Sequence, residues 1–429
     1  MRQFAVSLRW FTGLMSCMES QPPAAELFIG TLSGTSVDGI DAALVRFGER
    51  PELVATHSLA FPPELKAELL ALGRPGDNEI DRLGRADVTL GRLFARAVNE
   101  LLAKAGVASA AVRAVGSHGQ TIRHRPGFDP AFTLQIGDPN VIAAESGITV
   151  VADFRRKDLA LGGQGAPLVP AFHETVFRTK ENDRVIVNLG GIANLTALPA
   201  DPTAPILGFD TGPANTLLDA WARRVLGTPM DRDGALAARG HVVPGLLRAM
   251  LAEPFFGRPA PKSTGPEQFS TAWLETHLAR LAAPPSDADV QATLVALTAR
   301  SVADAIRALP GMGARSGKGV SPVGTEHGRD AHATPISDMG GTPMPPRKAP
   351  EVFVCGGGAR NPALMRALQE ELPLRKVAPT DALGVAGDWV EALAFAWLAR
   401  QHVLGLPGNC PRVTGASRAA VLGAVFLPE

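Results

Sequence analysis

The chain has 429 residues, 45% of them hydrophobic and 20% charged, and its 42 basic and 42 acidic side chains give a formal net charge of zero. That length predicts two or three domains with ample core, and electrical neutrality removes the usual reason to expect nucleic acid or an anionic membrane surface as partner. Three cysteines (Cys17, Cys355, Cys410) without a CxxC pair exclude a disulfide framework and a zinc site, which suits a reducing cytoplasm; no tyrosine is available as acid or base, and no apolar run is long enough to span a membrane.

Residues 1–26 place Arg2 before a mildly apolar stretch that Arg9 interrupts, with no small-residue cleavage site behind it. They read as a disordered extension, or as a start assigned too early with Met15 or Met18 as later candidates, rather than as a secretory signal. A first unit is expected over 27–150. Strand-like residues at 26–31 and 40–47 flank a Gly/Ser/Thr-rich turn, which predicts a hairpin. Helical spacing follows over 65–71 and 79–102, then a strand at 112–117 running into a loop at 118–126, then a strand at 150–154.

A second unit is expected over 151–310. It repeats the plan: a β-branched strand at 185–189, a turn at Gly190 and Gly191, a returning strand at 193–198, and a strand at 206–209 leading into Asp210. Helices are predicted over 216–225 and 287–309, the latter capped by Ser286 or Asp287. Residues 311–348 are dense in Gly, Pro, Ser and Thr with almost no apolar periodicity, and read as a disordered insertion in which His327 and His332 are solvated loop residues. The remainder, 349–429, is assigned to the second unit, with a strand at 352–355 and helices at 362–371 and 388–402. Two units of similar plan predict an α/β fold: two actin-like (ribonuclease H-like) domains, each a mixed sheet flanked by helices, with the active site in the cleft between them.

Four groups of residues carry chemistry. In GTLSGTSVDGID, at 30–41, small residues and consecutive amides suit a polyphosphate, and Asp38 and Asp41 are placed to hold magnesium; no Lys follows the glycines, so this is not a P-loop, and a structural turn has the same spacing. NLGGIAN and GFDTGPANTLLD place a second glycine turn beside Asp210, which sits at a strand end and can accept a proton, although a turn aspartate is the plainer reading of a lone DTG. GSHGQTIRHRP offers His118 and Gln120, and DFRRKD offers Arg155 and Arg156 for a carboxylate or phosphate, or simply a mixed-charge surface. CGGGARN, with Gly356 and Gly357, suits an adenosine, and Glu391 is a lone acid on an apolar helix that requires a partner or a role. Taken together, two glycine-turn strands and an acidic strand end favour an actin-like phosphotransferase.

These motifs, together with LQIGDPN, DRDGA, PKSTG and the closing LPGNCPRVTGA, resemble the anhydro-N-acetylmuramic acid kinases from about residue 27 to 428, leaving out 1–26 and 311–348. The resemblance implies the fold of the actin, hexokinase and heat-shock ATPase superfamily. It also implies a cytoplasmic enzyme that uses ATP, Mg2+ and water to convert 1,6-anhydro-N-acetylmuramic acid to N-acetylmuramic acid 6-phosphate and ADP in peptidoglycan recycling. By that resemblance Gly34, Thr35, Ser36, Val37, Asp38, Gly39, Ile40 and Asp41 bind ATP, with Asp38 toward the metal and Gly190, Gly191, Gly356 and Gly357 as further nucleotide contacts. Asp210 is the base and Glu391 a second catalytic carboxylate. His118, Gln120, Arg156 and Asn215 lie toward the sugar and phosphates. The implied partner is a small sugar, with no nucleic acid and no membrane, and a homodimer is compatible. Lys157 stands where the family often has Arg, Ala214 where Gly is usual, and the 311–348 insertion is foreign to the pattern. One aspartate with a near-ordinary pKa suffices for such a reaction, because the phosphoryl group takes the place of an acid on the leaving oxygen.

Overall fold

The computed structural model describes residues 26–34, 37–265, 267–312 and 349–429; the N-terminal extension, Thr35, Ser36 and most of the insertion lie outside them. Twelve strands make two sheets among the described residues. The first contains β1 (Glu26–Ser33), β2 (Gly39–Phe47), β3 (Pro51–Ala60), β4 (Val112–Arg125), β5 (Phe132–Ile136) and β6 (Val150–Ala152). The second contains β7 (Arg184–Leu189), β8 (Ile192–Leu198), β9 (Leu207–Pro213), β10 (Glu351–Cys355) and β11 (Val377–Pro379). The last strand, β12 (Ala424–Phe426), returns to the first sheet.

The repeat expected from the glycine turns is a repeat of topology. In the first sheet β1, β2 and β3 form an antiparallel meander, with β4 parallel to β1 and β6 parallel to β4. In the second, β7, β8 and β9 form the same meander, with β10 parallel to β7 and β11 parallel to β10. Two mixed sheets of one plan, each covered by helices, are the actin-like arrangement that the sequence predicts.

Period-two alternation sorts side chains into layers. On β2, Ile40, Ala42 and Leu44 join an outer core with Leu90, Phe94, Val98 and Leu101 of the helix Glu79–Ala105. Ala43, Val45 and Phe47 face the other way, into a central core that also receives Ile186 from β7. Val185, Val187 and Leu189 point outward from the second sheet onto the helices Asn215–Leu226 and Asp287–Arg307. The helix Val390–Val403 lies in the central core, between the sheets, and meets the first sheet at backbone contact. A Cβ on Gly30 would stand 1.8 Å from the Ala392 carbonyl oxygen, and one on Gly116 would stand 2.1 Å from that of Phe395. Gly30 therefore serves helix packing rather than phosphate approach.

Three expectations change. Residues 118–125 are not a loop: β4 continues to Arg125 and pairs antiparallel with β5. The stretch is too polar to show apolar alternation, and Gly119, at φ +73, looks like a turn residue in sequence. β3 completes the meander where the sequence predicts no strand. The 349–429 stretch is divided: β10 and β11 stay with the second sheet, whereas β12 pairs with β6 and the helix Val390–Val403 packs on β1 and β4. The Ser286 alternative for the long helix holds: its Oγ accepts from the Asp289 amide at 3.2 Å.

Candidate active site

A polar row crosses the inner face of the second sheet. Asn188 on β7 is in register with Asn194 on β8, and Asn194 with Asp210 on β9. Directly opposed residues of antiparallel strands point to the same face, so these three side chains lie in line on the face that Ile186 turns toward the central core. Adjacent strands are about 4.8 Å apart, which separates the ends of the row by roughly 10 Å. At one end the Asn188 Nδ2 donates to Glu391 at 3.1 Å; at the other is Asp210. Two carboxylates from distant parts of the chain thus share one face.

Asp210 is held by the 262–264 segment. Its amide donates to the Lys262 carbonyl at 3.0 Å, and its Oδ2 accepts from the Thr264 amide at 2.9 Å. Burial pushes its pKa up to about 6, against the Thr264 hydrogen bond and the Lys262 charge, which pull it down. A near-ordinary value suffices for the step, and the raised one makes the carboxylate a stronger base. Lys262 itself donates to the carbonyls of Phe255 and Phe256 and lies 4.7 Å from the Phe255 ring centroid. Burial likewise raises the Glu391 pKa, while Arg155 and Asn188 offset part of the rise.

The second-sheet glycines gather beside this row. Asn215 donates its amide to Gly190 O and its Nδ2 to Leu189 O, and the Thr216 amide reaches Gly191 O, so the helix Asn215–Leu226 starts on that turn. Gly356, at φ +79, has room for no side chain, because a Cβ would lie 2.3 Å from Asn188 Oδ1; the nearest atom to a Cβ on Gly357 would be Asn215 Nδ2, at 3.7 Å. Gly356→Ala is expected to cost about 1–2 kcal/mol of stability from backbone strain and to weaken nucleotide binding by displacing Asn188, which thermal unfolding and nucleotide titration would show. Ala214, where the family pattern has glycine, is buried at φ -127 and ψ -111, and its amide donates to Gly191 O.

The first-sheet turn is of mixed character. Ile40 is fully buried and Val37, at φ +53, nearly so, so neither side chain is free for a nucleotide. Gly39 lies against Leu59, and Asp41 Oδ1 accepts from Ser58 at 2.6 Å, with its pKa raised by burial and by Asp388. Gly34 and Asp38 are exposed, and Asp38 pairs with Lys66. Asp38 faces the second half electrostatically: Asp219, on the helix after the DTG turn, is pushed up to about 6 by burial first and Asp38 after it. Nothing in the sequence singles out Asp219 or Lys66, and only tertiary proximity to Asp38 marks them. Among the described residues no three His, Cys, Asp or Glu side chains form a ready-made metal cage. That suits Mg2+, which takes one or two carboxylates and fills its remaining positions with phosphate and water; exposed Asp38 opposite Asp219 fits such a donor set.

The remaining expected residues divide. Gln120 is buried and accepts from Ser33 Oγ at 2.6 Å. His118 uses both ring nitrogens within the protein, on Gly119 O and Arg155 Nε. Arg156 is exposed and 3.5 Å from Asp153, whereas its neighbour Arg155 turns inward toward Glu391. Lys157 is exposed. No hydrogen bond among the described residues joins Asp210 to Glu391 or to 37–41.

The family model described as anhydro-N-acetylmuramic acid kinase matches residues 26–315 and 338–428. Proteins of that name from Shewanella halifaxensis and Shewanella amazonensis are each 50% identical, over 92% and 93% of this chain and 97% and 98% of their own. Solved structures matched are remote. Component A of Acidaminococcus fermentans (R)-2-hydroxyglutaryl-CoA dehydratase gives a TM-score of 0.41 at 12% identity, over 87% of this chain and 96% of that one, and carries no argument. Half the residues shared along nearly the full length, and a model match on both sides of the insertion, leave one assignment: the chain belongs to the anhydro-N-acetylmuramic acid kinase family.

Proposed function

We propose that the protein uses ATP to open 1,6-anhydro-N-acetylmuramic acid with water and to phosphorylate its 6-oxygen, giving N-acetylmuramic acid 6-phosphate and ADP. The observation that carries the reading is the row Asn188–Asn194–Asp210, which lines up a base of pKa about 6 with the Glu391 carboxylate on one inner face. Asp210 takes a proton from water as the water oxygen bonds to the anomeric carbon. The bond from that carbon to the bridging oxygen breaks, and the freed 6-oxygen takes the γ-phosphoryl group, releasing ADP. The Thr264 amide fixes the Asp210 carboxylate during this step.

The turns at 190–191 and 356–357, with Asn215, form one wall for the nucleotide, and Gly34 with residues 37–41 the other. Asp38, with Asp219 opposite, would hold Mg2+ directly or through water, supplying charge neutralisation at the phosphates. Gln120 and His118 shape the sugar side through what they hold in place. The domain division we favour puts 27–150 in the first half and 151–310 in the second, with 349–429 shared between them. No helix among the described residues is long and apolar enough to cross a membrane, and we place the enzyme in the cytoplasm with a small sugar as its partner.

Turnover in heavy-oxygen water tests the reaction. Label is expected at the anomeric hydroxyl of the product and not in its phosphate, measured against product incubated alone in the same water to correct for spontaneous exchange. Phosphate transfer to N-acetylglucosamine but not to the anhydro sugar would overturn the assignment in favour of a kinase for free hydroxyl groups.

A further inference from the structure

We propose that Arg155 is a positioning residue for Glu391, and that the C-terminal stretch around Asn409 and Thr414 holds it in place through Asp158. The proposal rests on the preceding reading only in giving Glu391 a part in turnover. Its support is a chain of contacts from the C-terminal stretch to Arg155 and His118, which packs on the helix of Glu391, with Arg155 acting on Glu391 through its charge. Asp158 is fully buried and accepts three hydrogen bonds: from Thr414 Oγ1 at 2.8 Å, Asn409 Nδ2 at 2.7 Å and the Gly165 amide at 2.8 Å. Asn409 is itself fixed, its Oδ1 accepting from the Ala420 amide at 2.8 Å. The Gly165 carbonyl in turn accepts from Arg155 Nη1 at 2.8 Å.

Gly165 is thus gripped on one side by Asp158 and grips Arg155 on the other. It has φ +66, and a Cβ there would lie 2.1 Å from Leu159 Cδ1, so the link tolerates no side chain. Arg155 Nε donates to His118 Nε2 at 3.0 Å. That bond requires a neutral imidazole with its proton on Nδ1, where it is donated to Gly119 O at 3.0 Å. Burial, with the Arg155 charge, holds the His118 pKa down to about 3, so the acceptor persists across the working pH range. The His118 ring lies 4.7 Å from that of Phe395, on the helix that carries Glu391.

Arg155 therefore has two acceptors, both neutral, and no hydrogen-bonded carboxylate among the described residues. Arg155 is half-buried, a position costly for a cation unless negative charge lies nearby, and the charges that act on it are Glu391 first and Asp158 second. From the Glu391 side, Arg155 favours the ionised carboxylate, whereas Asp41 on β2 disfavours it; Cys355 on β10, which feels both Glu391 and Asp388, is kept protonated by burial. Asn188 is a neutral hydrogen-bond donor, so among the described residues the cation that favours ionised Glu391 is Arg155, set by a turn whose anchor is the C-terminal stretch.

A double-mutant cycle separates positioning from mere structural support. Arg155→Met is expected to lower kcat about 30-fold and to move the acid limb of kcat/KM to higher pH by adding a raised Glu391 ionisation to that of Asp210, yet to cost less than about 3-fold in a Glu391→Gln background. Thr414→Val, which removes the hydroxyl's bond to Asp158 together with its longer contacts to Cys410 O and the Ala416 amide, is expected to give a smaller loss of kcat, about 3- to 10-fold, with the same shift of the limb. His118→Gln, which keeps an acceptor, should retain more activity than His118→Phe. Thermal unfolding identifies variants that do not fold; should Arg155→Met be one, the Thr414→Val cycle with Glu391→Gln decides. Equal losses in both backgrounds, with an unmoved acid limb, would overturn the proposal. Failure of the wild-type chain to form the sugar phosphate would instead refute the activity.

Discussion

Asp210→Asn is expected to lower kcat by about 10³-fold, within the usual range for loss of a general base, while leaving ATP binding nearly intact. The amide can keep the Thr264 amide as a neighbour but cannot take the proton from water, so the loss should appear in kcat rather than in nucleotide affinity. The wild-type pH profile carries the same information. Burial raises the Asp210 pKa to about 6, so the active, ionised form dominates above that pH and disappears below it. The logarithm of kcat/KM should therefore rise with unit slope up to about pH 6 and then level off. Lys262 holds the value down, and Lys262→Met should move the break to higher pH. Rates measured from pH 5 to 8 for wild type, Lys262→Met and Asp210→Asn decide the matter. A profile flat through pH 5, or an Asp210→Asn enzyme with more than about a tenth of wild-type kcat, would remove Asp210 from the role of base.

Much of this site is legible in the order of its amino acids. The hairpins β1–β2 and β7–β8 announce themselves because β-branched strands flank glycine turns, and the repeat of that pattern marks both halves. Glu391 stands out because an ionisable group on an apolar helix must be answered by something, and Asn188 and Arg155 answer it. What stays hidden depends on register and on which way a side chain turns. Asn188 and Asn194 are unremarkable in sequence, and only the pairing β7–β8–β9 puts them in line with Asp210. Arg155 and Arg156 are adjacent and chemically identical. The inward one is decided by the turn at Asp153, which has φ +60, and by the helix Arg156–Ala160 that starts immediately after it. The second part of β4 escapes notice because its polar residues are partnered within the site, so burial there leaves no apolar alternation. β12 escapes notice because three residues at a sheet edge are too few for any periodicity to register.

The two glycines beneath the Glu391 helix give the largest expected effect on stability. At Gly116 an added Cβ would meet the Phe395 carbonyl oxygen at 2.1 Å and its carbon at 2.8 Å; at Gly30 it would meet the Ala392 carbonyl oxygen at 1.8 Å and the Ala396 amide nitrogen at 2.5 Å. These are backbone atoms of a helix fixed between two sheets, so no rotamer change relieves the overlap. Ala392, Ala396 and Ala399 on the facing side are themselves fully buried, so there is no larger side chain whose movement could make room. Either the helix or the strand must shift by an ångström or more. Overpacking typically costs about 1–3 kcal/mol and more when backbone must move, so Gly30→Ala and Gly116→Ala are each expected to destabilise the fold by about 3 kcal/mol or more. For a protein of this size each 3 kcal/mol lowers Tm by about 3–4 °C. Glu391 immediately precedes Ala392, so the shift also carries the carboxylate away from Asn188. The consequence is a specific pattern: at a temperature where Gly30→Ala remains folded by circular dichroism, its kcat should still fall well below that of wild type. Wild-type Tm and wild-type kcat in either variant would mean that the helix does not approach β1 and β4 as closely as described, and the position assigned to Glu391 would fall with it.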